Sequence, residues 1–379
     1  MYEGHTVGVV VPAYNEEGFV GEVLETLPPY VDRAYVVDDR STDGTWAEIQ
    51  ATASRINDPP FEREDPSLAD GGFDRRIVPI RHDTNRGVGG AIKTGYLRAE
   101  GDGVDVTAVM GGDGQMDPDE LDKLLDPIVN GEADYAKGNR LLHTDDRAEM
   151  PGFRYVGNVM LSYLTKIASG YWYVGDPQNG YTAISADALS GVGIEDMFEF
   201  YGYCNDLLVR LSAHEYRVVD VPIAARYRDE ESDIDYRTYV PLVSWMLLRT
   251  CLWRLAVRRE TGAEVARSGL YVGGAIGLLV GVGSGLRSLL ASLRGLEADS
   301  GVTDPDAADA DSPDAVVGPE DRAVPDRDAR TDRRTARTER ATRTRRGTRG
   351  GWLVVGVLLL VCAMVVDAIS NRSLNETLK

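Results

Sequence analysis

Cysteine and histidine are scarce in this sequence, and their spacing excludes two kinds of site. The three cysteines, Cys204, Cys251 and Cys362, are odd in number and widely separated, and the four histidines share no spacing. Neither a disulfide framework nor a zinc site is indicated, and we expect the chain to fold in a reducing compartment. The first residues lack a basic segment followed by a long apolar core, so no secretory signal is predicted.

Lysine is rare as well, and the chain is strongly acidic. Asp and Glu number 61 against 41 Lys and Arg, which gives a formal net charge of −20, and only five of the basic residues are lysines. A surface of this sign repels the phosphates of nucleic acids, so no nucleic-acid partner is expected. Concentrated salt screens such charge, and dense carboxylates keep water at the surface, which favours a halophilic protein over a highly soluble mesophilic one.

Residues 1–230 are predicted to form one α/β domain. Short β-branched runs alternate there with amphipathic stretches, a pattern typical of a mostly parallel sheet covered by helices. Strands are predicted at 7–11, 34–38, 77–81 and 106–110, and helical stretches at 16–27, 45–55 and 90–99. The hydrophobic content of 43% excludes a wholly disordered protein.

Residues 231–262 have the pattern of an amphipathic helix at a membrane surface. The residues concerned are the apolar Trp245, Leu248, Leu252 and Leu255 on one side and the interspersed Arg249 and Arg254. Tryptophan favours the membrane interface, and arginine meets lipid phosphates there. An ordinary core helix gives a similar pattern, but the position just before two apolar runs favours the membrane.

The two apolar runs are each about long enough to cross a bilayer. The run at 350–370 is strongly apolar and is predicted to be a transmembrane helix, whereas the run at 268–290 is rich in glycine. We expect 268–290 to be transmembrane or re-entrant. Buried helices of a soluble protein remain an alternative for both.

Residues 295–349, between the two runs, are predicted to be a disordered linker, because their acidic and then arginine-rich composition cannot build a core. The arginines abut the second run, which favours a cytoplasmic location for the linker. If both runs cross the membrane, however, a cytoplasmic N-terminal domain puts the linker outside. The sequence leaves this conflict open.

Polar motifs follow all four predicted strands, where ligands bind in an open parallel sheet. They are PAYNEE at 12–17, DDRSTDGT at 38–45, HDTNRGVGGAIKTG at 82–95 and GGDGQMDP at 111–118. Asp38 and Asp39 can accept hydrogen bonds from a base or a ribose. Taken singly, each of the first two motifs also fits a helix cap and a turn.

The third and fourth motifs favour a diphosphate. Arg86 and Lys93 lie in a glycine-rich turn that opens a helix, where phosphate binds well, although such glycines often serve only close packing. Asp113 and Gln115 offer oxygen ligands that suit a hard divalent cation. A simple acidic turn is the alternative for this last segment.

The order and spacing of the four motifs resemble family 2 glycosyltransferases, which have the A-type nucleotide-diphospho-sugar transferase fold, a Rossmann-like α/β fold with a mostly parallel sheet. The motifs cover about the first 120 residues. The resemblance implies a nucleotide-sugar donor and a cofactor, Mg²⁺ or Mn²⁺, bound through Asp113 and Gln115. The implied donor site consists of Pro12, Tyr14, Asn15, Glu16, Asp38, Asp39, Arg86, Gly87, Lys93 and Gly112.

A narrower resemblance is to dolichyl-phosphate mannose and glucose synthases and related polyprenyl-phosphate sugar transferases. It is carried by NRGVGGAIKTGY, DGQMDP, ADYAKGNR at 133–140 and DPQNGYTAIS at 176–185. The layout of a catalytic domain at 1–230, an interfacial helix and two C-terminal spans is also similar. The resemblance implies a dolichyl or polyprenyl phosphate acceptor, contact with membrane lipids, and a cell-membrane protein with a cytoplasmic catalytic domain.

An anionic acceptor calls for cationic side chains, and Arg140, Arg226 and Arg228 are the candidates to hold it. Gln178 and Asn179 are expected to line the floor of the sugar or acceptor pocket.

The segment 199–211 lies where the resemblance places a helix with an acidic residue facing the acceptor. Asp206 matches that acid best and joins Asp113 and Arg140 as the predicted catalytic residues, with Glu199 as an alternative. A carboxylate that merely caps a helix N-terminus is the non-functional reading.

One departure from the family pattern is Gly111, which stands where the first aspartate of a D-x-D motif is expected. Asp113 must then hold the metal with Gln115 and the diphosphate oxygens. A catalytically inactive membrane scaffold is therefore kept as an alternative of a different class.

The expected activity is inverting transfer of a hexose from a UDP- or GDP-sugar to dolichyl (polyprenyl) phosphate at the cytoplasmic membrane face. A phosphate acceptor is already an anion, so a strong general base is less necessary than for a hydroxyl. Transfer to a glycan or glycolipid hydroxyl is the enzymatic alternative. Processive synthesis is disfavoured because no Q-x-x-R-W segment occurs.

Overall fold

The structure, a computed structural model, describes residues 1–58, 72–140, 152–224, 236–258, 262–299 and 352–377. The chain divides into a first unit, Met1–Val265 with Val366–Lys379, and a second unit, Ala266–Val365. The C-terminal residues thus belong to the same unit as the N-terminal α/β region.

A mixed, mostly parallel sheet forms the centre of the first unit. Its strands are β1 Val7–Ala13, β2 Arg33–Asp38, β3 Ile77–Arg81, β4 Val106–Val109, β5 Tyr135–Asn139, β6 Thr182–Ser185, β7 Val218–Pro222 and β8 Asn375–Thr377. Within the described residues the strand order is β3-β2-β1-β4-β6-β5-β7-β8, and β6 alone runs antiparallel to its neighbours. The four strands predicted from the sequence are confirmed to within about two residues, and their carboxyl ends share one edge.

Helices cover both faces of the sheet. Their bounds are α1 Val20–Glu25, α2 Thr45–Asn57, α3 Val88–Gly101, α4 Leu121–Val129, α5 Gly152–Ser169, α6 Ala186–Gly191 and α7 Tyr203–Ala213. Alternate residues of β1 separate the two cores: Val9 and Val11 lie in the core with α1, α2 and α4, and Val10 lies in the core with α3, α6 and α7.

The first helix is shorter than the predicted 16–27. Asn15 and Gly18 both have positive φ, at 57° and 87°, which is incompatible with a continuing α-helix. The loop after β1 therefore extends to Phe19 before α1 begins.

The amphipathic helix predicted within 231–262 is α8, Tyr236–Val257. Trp245, Leu248 and Leu252 are exposed as expected, with Trp245 66% accessible. Leu255 and Arg254 differ from the prediction, because both are buried. A helical period of 3.6 residues places Arg254 on the side of the helix opposite Trp245, whereas Leu255 lies beside Leu248 at the margin of the exposed face.

The chain returns to the sheet after its last apolar helix, α10, Trp352–Ser370. Arg254 and Asp367 are both 0% exposed and form an ion pair with Nη2 2.8 Å from Oδ2. Farther along, Arg258 Nη1 donates to Asn371 Oδ1 at 2.9 Å. Asn375 in β8 then pairs with Val218 in β7.

Asn371 and Asn375 begin two tripeptides of the N-x-S/T glycosylation pattern. Both side chains are buried and hydrogen-bonded, Asn371 Nδ2 to Asp367 Oδ1 at 2.9 Å and Asn375 Oδ1 to Tyr173 N at 2.8 Å. In the folded protein these asparagines are structural and inaccessible to a glycosylating enzyme.

The second unit consists, in its described part, of α9, Gly262–Asp299, from Ala266 onward and of α10 up to Val365. A Cβ on Gly277 would lie 2.8 Å from Gly356 Cα, and one on Gly281 would lie 2.8 Å from Leu353 Cα. Glycine thus brings the two helix backbones into contact, as in many membrane helix pairs.

Three described helices are long and apolar enough to span a membrane. They are Tyr239–Val257, Gly262–Ala291 and Trp352–Ser370, with mean hydropathies of 1.3, 1.6 and 2.7. The predicted linker begins at 295, whereas α9 continues to Asp299, because Leu296, Glu297 and Ala298 favour a helix. The remainder of that linker lies outside the described residues.

We expect Asp367→Asn to destabilise the first unit by about 3–5 kcal/mol, because it leaves the buried Arg254 charge without its counter-ion. Thermal or denaturant unfolding of the full chain in lipid or detergent measures this. The matched control is Arg249→Met, which removes an exposed arginine from the same helix. Equal, small effects of the two substitutions would contradict the stabilising role of the ion pair.

Candidate active site

The candidate donor site lies at the sheet edge where β1, β2 and β4 end. Gly112 N donates to Pro12 O at 3.0 Å, and Asp39 N donates to Ala13 O at 2.9 Å. A Cβ on Gly112 would stand 3.0 Å from the same Pro12 oxygen, so glycine suits this close approach. Pro12 and Gly112, both predicted donor-site residues, are therefore neighbours across two strands.

The loop after β1 is bound to the loop after β2 through Asn15. Asn15 Oδ1 accepts from Thr42 N at 2.9 Å, and Asn15 N donates to Ser41 Oγ at 3.0 Å. Its φ of 57° is one that asparagine tolerates better than most residues. Tyr14 and Asn15 are exposed and Glu16 is half-buried, so all three predicted donor residues are accessible on this loop.

Asp38 ends β2 and points into the protein. Its buried carboxylate accepts from Ser41 N at 3.1 Å and pairs with Arg81 Nε at 2.9 Å. The Arg81 guanidinium lies 5.4 Å from the centre of the Trp46 ring. Any contact of Asp38 with a nucleoside would be shared with these partners.

Asp39 is also buried, and it holds the loop between β3 and α3. Oδ1 lies 2.6 Å from His82 Nδ1 and accepts from Arg86 N at 2.8 Å, while Oδ2 accepts from Gly87 N at 2.7 Å. His82 Nε2 in turn lies 2.9 Å from Thr94 Oγ1. His82 was not among the predicted site residues, although its position directly after β3 was an available signal.

The two predicted phosphate-binding cations meet at Glu199. Arg86 Nη2 lies 2.7 Å and Lys93 Nζ 2.8 Å from Glu199 Oε1. Hydrogen bonds from Arg86 and then from Lys93 lower the pKa of Glu199 from 4.5 to about 2. The three groups together carry one net positive charge next to the N-terminus of α3.

The glycine-rich turn is explained by the chain segment that packs on it. A Cβ on Gly89 would lie 2.5 Å from Phe198 O, and one on Gly87 would lie 2.8 Å from Glu199 O. Gly87 also has a φ of 80°. The close-packing reading of these glycines is therefore sufficient to explain them, and Gly90 N already donates to Glu199 O at 2.8 Å.

Asp206, the acid predicted to face the acceptor, is turned into the protein interior. Its carboxylate is buried and accepts from Arg210 Nε and from Phe198 N, each at 2.9 Å. Arg210 continues to Gly193 O at 3.1 Å. These contacts make Asp206 a positioning residue for the segment that carries Glu199.

Asp113 lies on the turn after β4, half-buried, and its Oδ1 accepts from Gln115 N at 3.0 Å. A Cβ on Gly111 would stand 2.9 Å from the same oxygen. The carboxylate of Asp113 thus lies next to Gly111, the position where the D-x-D pattern would supply its first aspartate.

Among the described residues no three His, Cys, Asp or Glu side chains form a group that could hold a metal ion. The donor set at the turn is one carboxylate, Asp113, with the amide of Gln115. These hard oxygen donors fit Mg²⁺ or Mn²⁺ in type, and a cation there needs further oxygens from a bound diphosphate.

Arg140, the first acceptor candidate, follows β5. Its Nε lies 2.8 Å from Asp176 Oδ2. Burial on its own raises the pKa of Asp176, but the charges of Arg140 and Lys137 outweigh it and hold that pKa below the ordinary value. Asp176 and the buried Lys137 were not among the predicted site residues, although they lie in the motifs at 176–185 and 133–140.

The remaining acceptor candidates divide into described and undescribed residues. Asn179 is buried, with Oδ1 accepting from Tyr181 N at 3.0 Å, and Gln178 beside it is half-buried. Arg226 and Arg228 lie outside the described residues. Their role stays a prediction.

The ion pairs of Glu199 make stability depend on acid. Because the folded pKa is about 2 and the ordinary value is 4.5, the stabilisation is complete above pH 4.5 and is lost as the pH falls towards 2. We expect Glu199→Gln to lower the unfolding free energy at neutral pH and to flatten its fall between these two values. Unfolding curves measured across that range check this, with exposed Glu195→Gln as the control for loss of one surface charge. Parallel pH profiles of wild type and Glu199→Gln would contradict it.

Comparison with known proteins identifies the family. The profile of "Glycosyl transferase family 2" matches residues 8–193, which include the motifs after β1 to β4 and end just before Glu199. A UDP-N-acetylglucosamine–dolichyl-phosphate N-acetylglucosaminyltransferase of Methanococcus voltae is 30% identical over 58% of this chain and 86% of its own length. An undecaprenyl-phosphate mannosyltransferase of Micrococcus luteus is 29% identical over 66% of this chain and 95% of its own.

Among solved structures, glucosyl-3-phosphoglycerate synthase from Mycobacterium tuberculosis, crystallised with Mn²⁺ and UDP, aligns over 68% of this chain and 82% of its own. Its TM-score is 0.46 and its sequence identity 19%. The sequence relatives and the mostly parallel sheet confirm the predicted A-type fold and a glycosyltransferase enzyme. The chain belongs to glycosyltransferase family 2.

Proposed function

We propose that this protein transfers a hexose, with inversion, from a UDP- or GDP-sugar to dolichyl (polyprenyl) phosphate at the cytoplasmic membrane face. The observation that carries the proposal is the placement in one unit of a donor edge at β1, β2 and β4, an exposed arginine after β5, and the exposed apolar face of α8. The Methanococcus and Micrococcus relatives, named for transfer to dolichyl and undecaprenyl phosphate, support the same acceptor class.

The donor half uses the surface around Tyr14, Asn15 and Asp113. Asp113 and Gln115 would hold Mg²⁺ or Mn²⁺, which supplies positive charge to the leaving nucleoside diphosphate. Arg86 and Lys93 add cationic charge beside the same edge. Their shared partner Glu199 offsets one of these two positive charges until a bound diphosphate competes with it for Arg86 and Lys93.

The acceptor half uses a cation in place of a base. A phosphate monoester is already ionised at neutral pH, so its oxygen needs orientation more than deprotonation to attack the anomeric carbon. Arg140 is proposed to hold this phosphate, with Gln178 and Asn179 nearby and with Arg226 and Arg228 as further candidates. No general base among the described acids is required for the step.

The membrane attachment is proposed to combine the surface of α8 with a hairpin of α9 and α10. Because α9 starts from the first unit and α10 ends in it, the cytoplasmic ends are at 262 and 370. The ends at 299 and 352 then face the opposite side. A buried ion pair and a strand pairing hold 367–377 in the first unit, and this placement favours an external linker in spite of its arginine-rich composition.

The test of the activity is to incubate membranes containing the full chain, at molar salt with Mg²⁺ or Mn²⁺, with labelled UDP-glucose, GDP-mannose or UDP-N-acetylglucosamine. We expect one donor to label a lipid that releases its sugar in mild acid. Label in glycan or protein without labelled lipid would favour the hydroxyl-acceptor alternative. No label from any donor would favour the scaffold.

The metal assignment predicts opposite effects of two substitutions at the turn after β4. Asp113→Ala should abolish the protection that UDP or GDP with Mn²⁺ gives against thermal unfolding, since it removes the only carboxylate of the proposed set. Gly111→Asp should lower the Mn²⁺ concentration needed for half-maximal protection, because Asp113 can rotate away from the new Cβ. Full protection of Asp113→Ala would overturn the assignment.

A further inference from the structure

A group of polar and ionisable side chains, most of them buried, lies in and around β5 and β7, and we call it the β5–β7 charge cluster. It consists of Lys137, Asn139, Arg140, Asp176 and Asp220. All are buried except Arg140, whose side chain is 40% exposed against 8% for its partner Asp176. The cluster therefore has one member at the surface and four behind it.

The segment that carries Asp176 is fixed at several points. Lys137 Nζ donates to the backbone oxygen of Asp176, and Asp220 Oδ2 accepts from Gly175 N at 2.5 Å and from Asn139 Nδ2 at 2.7 Å. A Cβ on Gly175 would lie 2.9 Å from Asp220 Oδ2, so the backbone is pressed against this carboxylate. Asp176 is consequently held at a defined place relative to β5 and β7.

The charge state of Asp176 follows from its neighbours. Arg140 and Lys137 keep its pKa below the ordinary value in spite of burial, so the carboxylate is ionised at neutral pH. A buried charge of this kind is costly for stability alone, because well-packed apolar residues often stabilise a fold as well or better. The arrangement makes better sense if the carboxylate serves the one exposed member of the cluster.

Asp176 contacts Arg140 at Nε, 2.8 Å from Oδ2. An arginine binds phosphate best through a fork of two nitrogens, and a contact at Nε fixes the rotation of the guanidinium plane. The long Arg140 side chain thus loses much of its freedom before any acceptor arrives.

We propose that Asp176 is a positioning residue that orients Arg140 for two oxygens of the acceptor's lipid phosphate. This inference rests on the proposed function. Lys137 and Asp220 act on Arg140 only indirectly, because they hold the backbone of residues 175–176 in place. Preorganisation of this kind lowers the cost of binding the acceptor and leaves donor binding unaffected.

The test is a kinetic comparison of the full chain in membranes, with dolichyl phosphate as the varied acceptor. Asp176→Asn should raise the KM for dolichyl phosphate about tenfold, the size expected when one long side chain must be ordered on binding. The KM for the nucleotide sugar should stay the same. In an Arg140→Ala background, Asp176→Asn should have no further effect on the acceptor KM.

The matched control is Asp32→Asn, which neutralises another buried carboxylate in the same unit. Asp32 Oδ2 accepts from Val7 N at 2.8 Å, at the opposite edge of the sheet from Arg140. Its substitution reports the general cost of losing a buried charge. An equal rise of the acceptor KM in Asp32→Asn and Asp176→Asn would overturn the inference.

Two further outcomes separate this inference from the proposed function. If the wild type labels no lipid, the proposed function fails, and the inference fails with it. If the wild type labels lipid but Asp176→Asn leaves the acceptor KM unchanged, only the inference fails.

If the Asp176→Asn variant does not fold, Arg140→Lys replaces it as the test. Lysine lacks the fork of two nitrogens, so the KM of the Arg140→Lys variant for dolichyl phosphate should rise at least as much. An unchanged KM would overturn the inference.

Discussion

The parallel pairing of β1 with β2 on one side and β4 on the other is the constraint on which the rest of the site depends. It brings three strand ends to one edge, where backbone hydrogen bonds from Gly112 to Pro12 and from Asp39 to Ala13 join the loops that follow. The donor residues come from segments about a hundred positions apart along the chain. Without this register, the loops that carry the predicted donor residues Tyr14, Asn15 and Asp113 would not begin at one edge of the sheet.

Buried carboxylates perform the local positioning in this acidic chain. Asp39 fixes the loop that carries Arg86, Asp206 fixes the segment that carries Glu199, and Asp176 fixes Arg140. In each case a buried carboxylate accepts a hydrogen bond from a residue of the more exposed segment. The exposed polar residues are thereby ordered before a ligand binds, which is the condition for tight and oriented binding of a charged substrate.

The sequence predicted the sheet better than the site. Strands β1 to β4 followed from β-branched runs, which are typical of buried parallel strands, whereas β5 is equally buried but has no β-branched residue. The inward turn of Asp206 and the pairing of Glu199 with Arg86 and Lys93 could not be predicted, since both depend on how the segment at 198–200 packs on the glycines of α3. The sequence pattern predicted that Arg254 meets lipid phosphates. In the structure it is buried against Asp367, a partner 113 positions away that local sequence does not reveal. The strand β8 has three residues, too few for a periodic signal, and it forms because β7 presents an open edge.

In the proposed reaction an oxygen of a lipid phosphate attacks the anomeric carbon of the donor sugar from the face opposite the leaving nucleoside diphosphate. The most direct measurement is the linkage and anomeric configuration of the sugar in the purified lipid product, by mass spectrometry and NMR. We expect one hexose in a phosphodiester linkage to a polyprenol, with the anomeric configuration inverted relative to the donor. A hexose bound to a hydroxyl, a sugar joined through a diphosphate, or a retained configuration would contradict it.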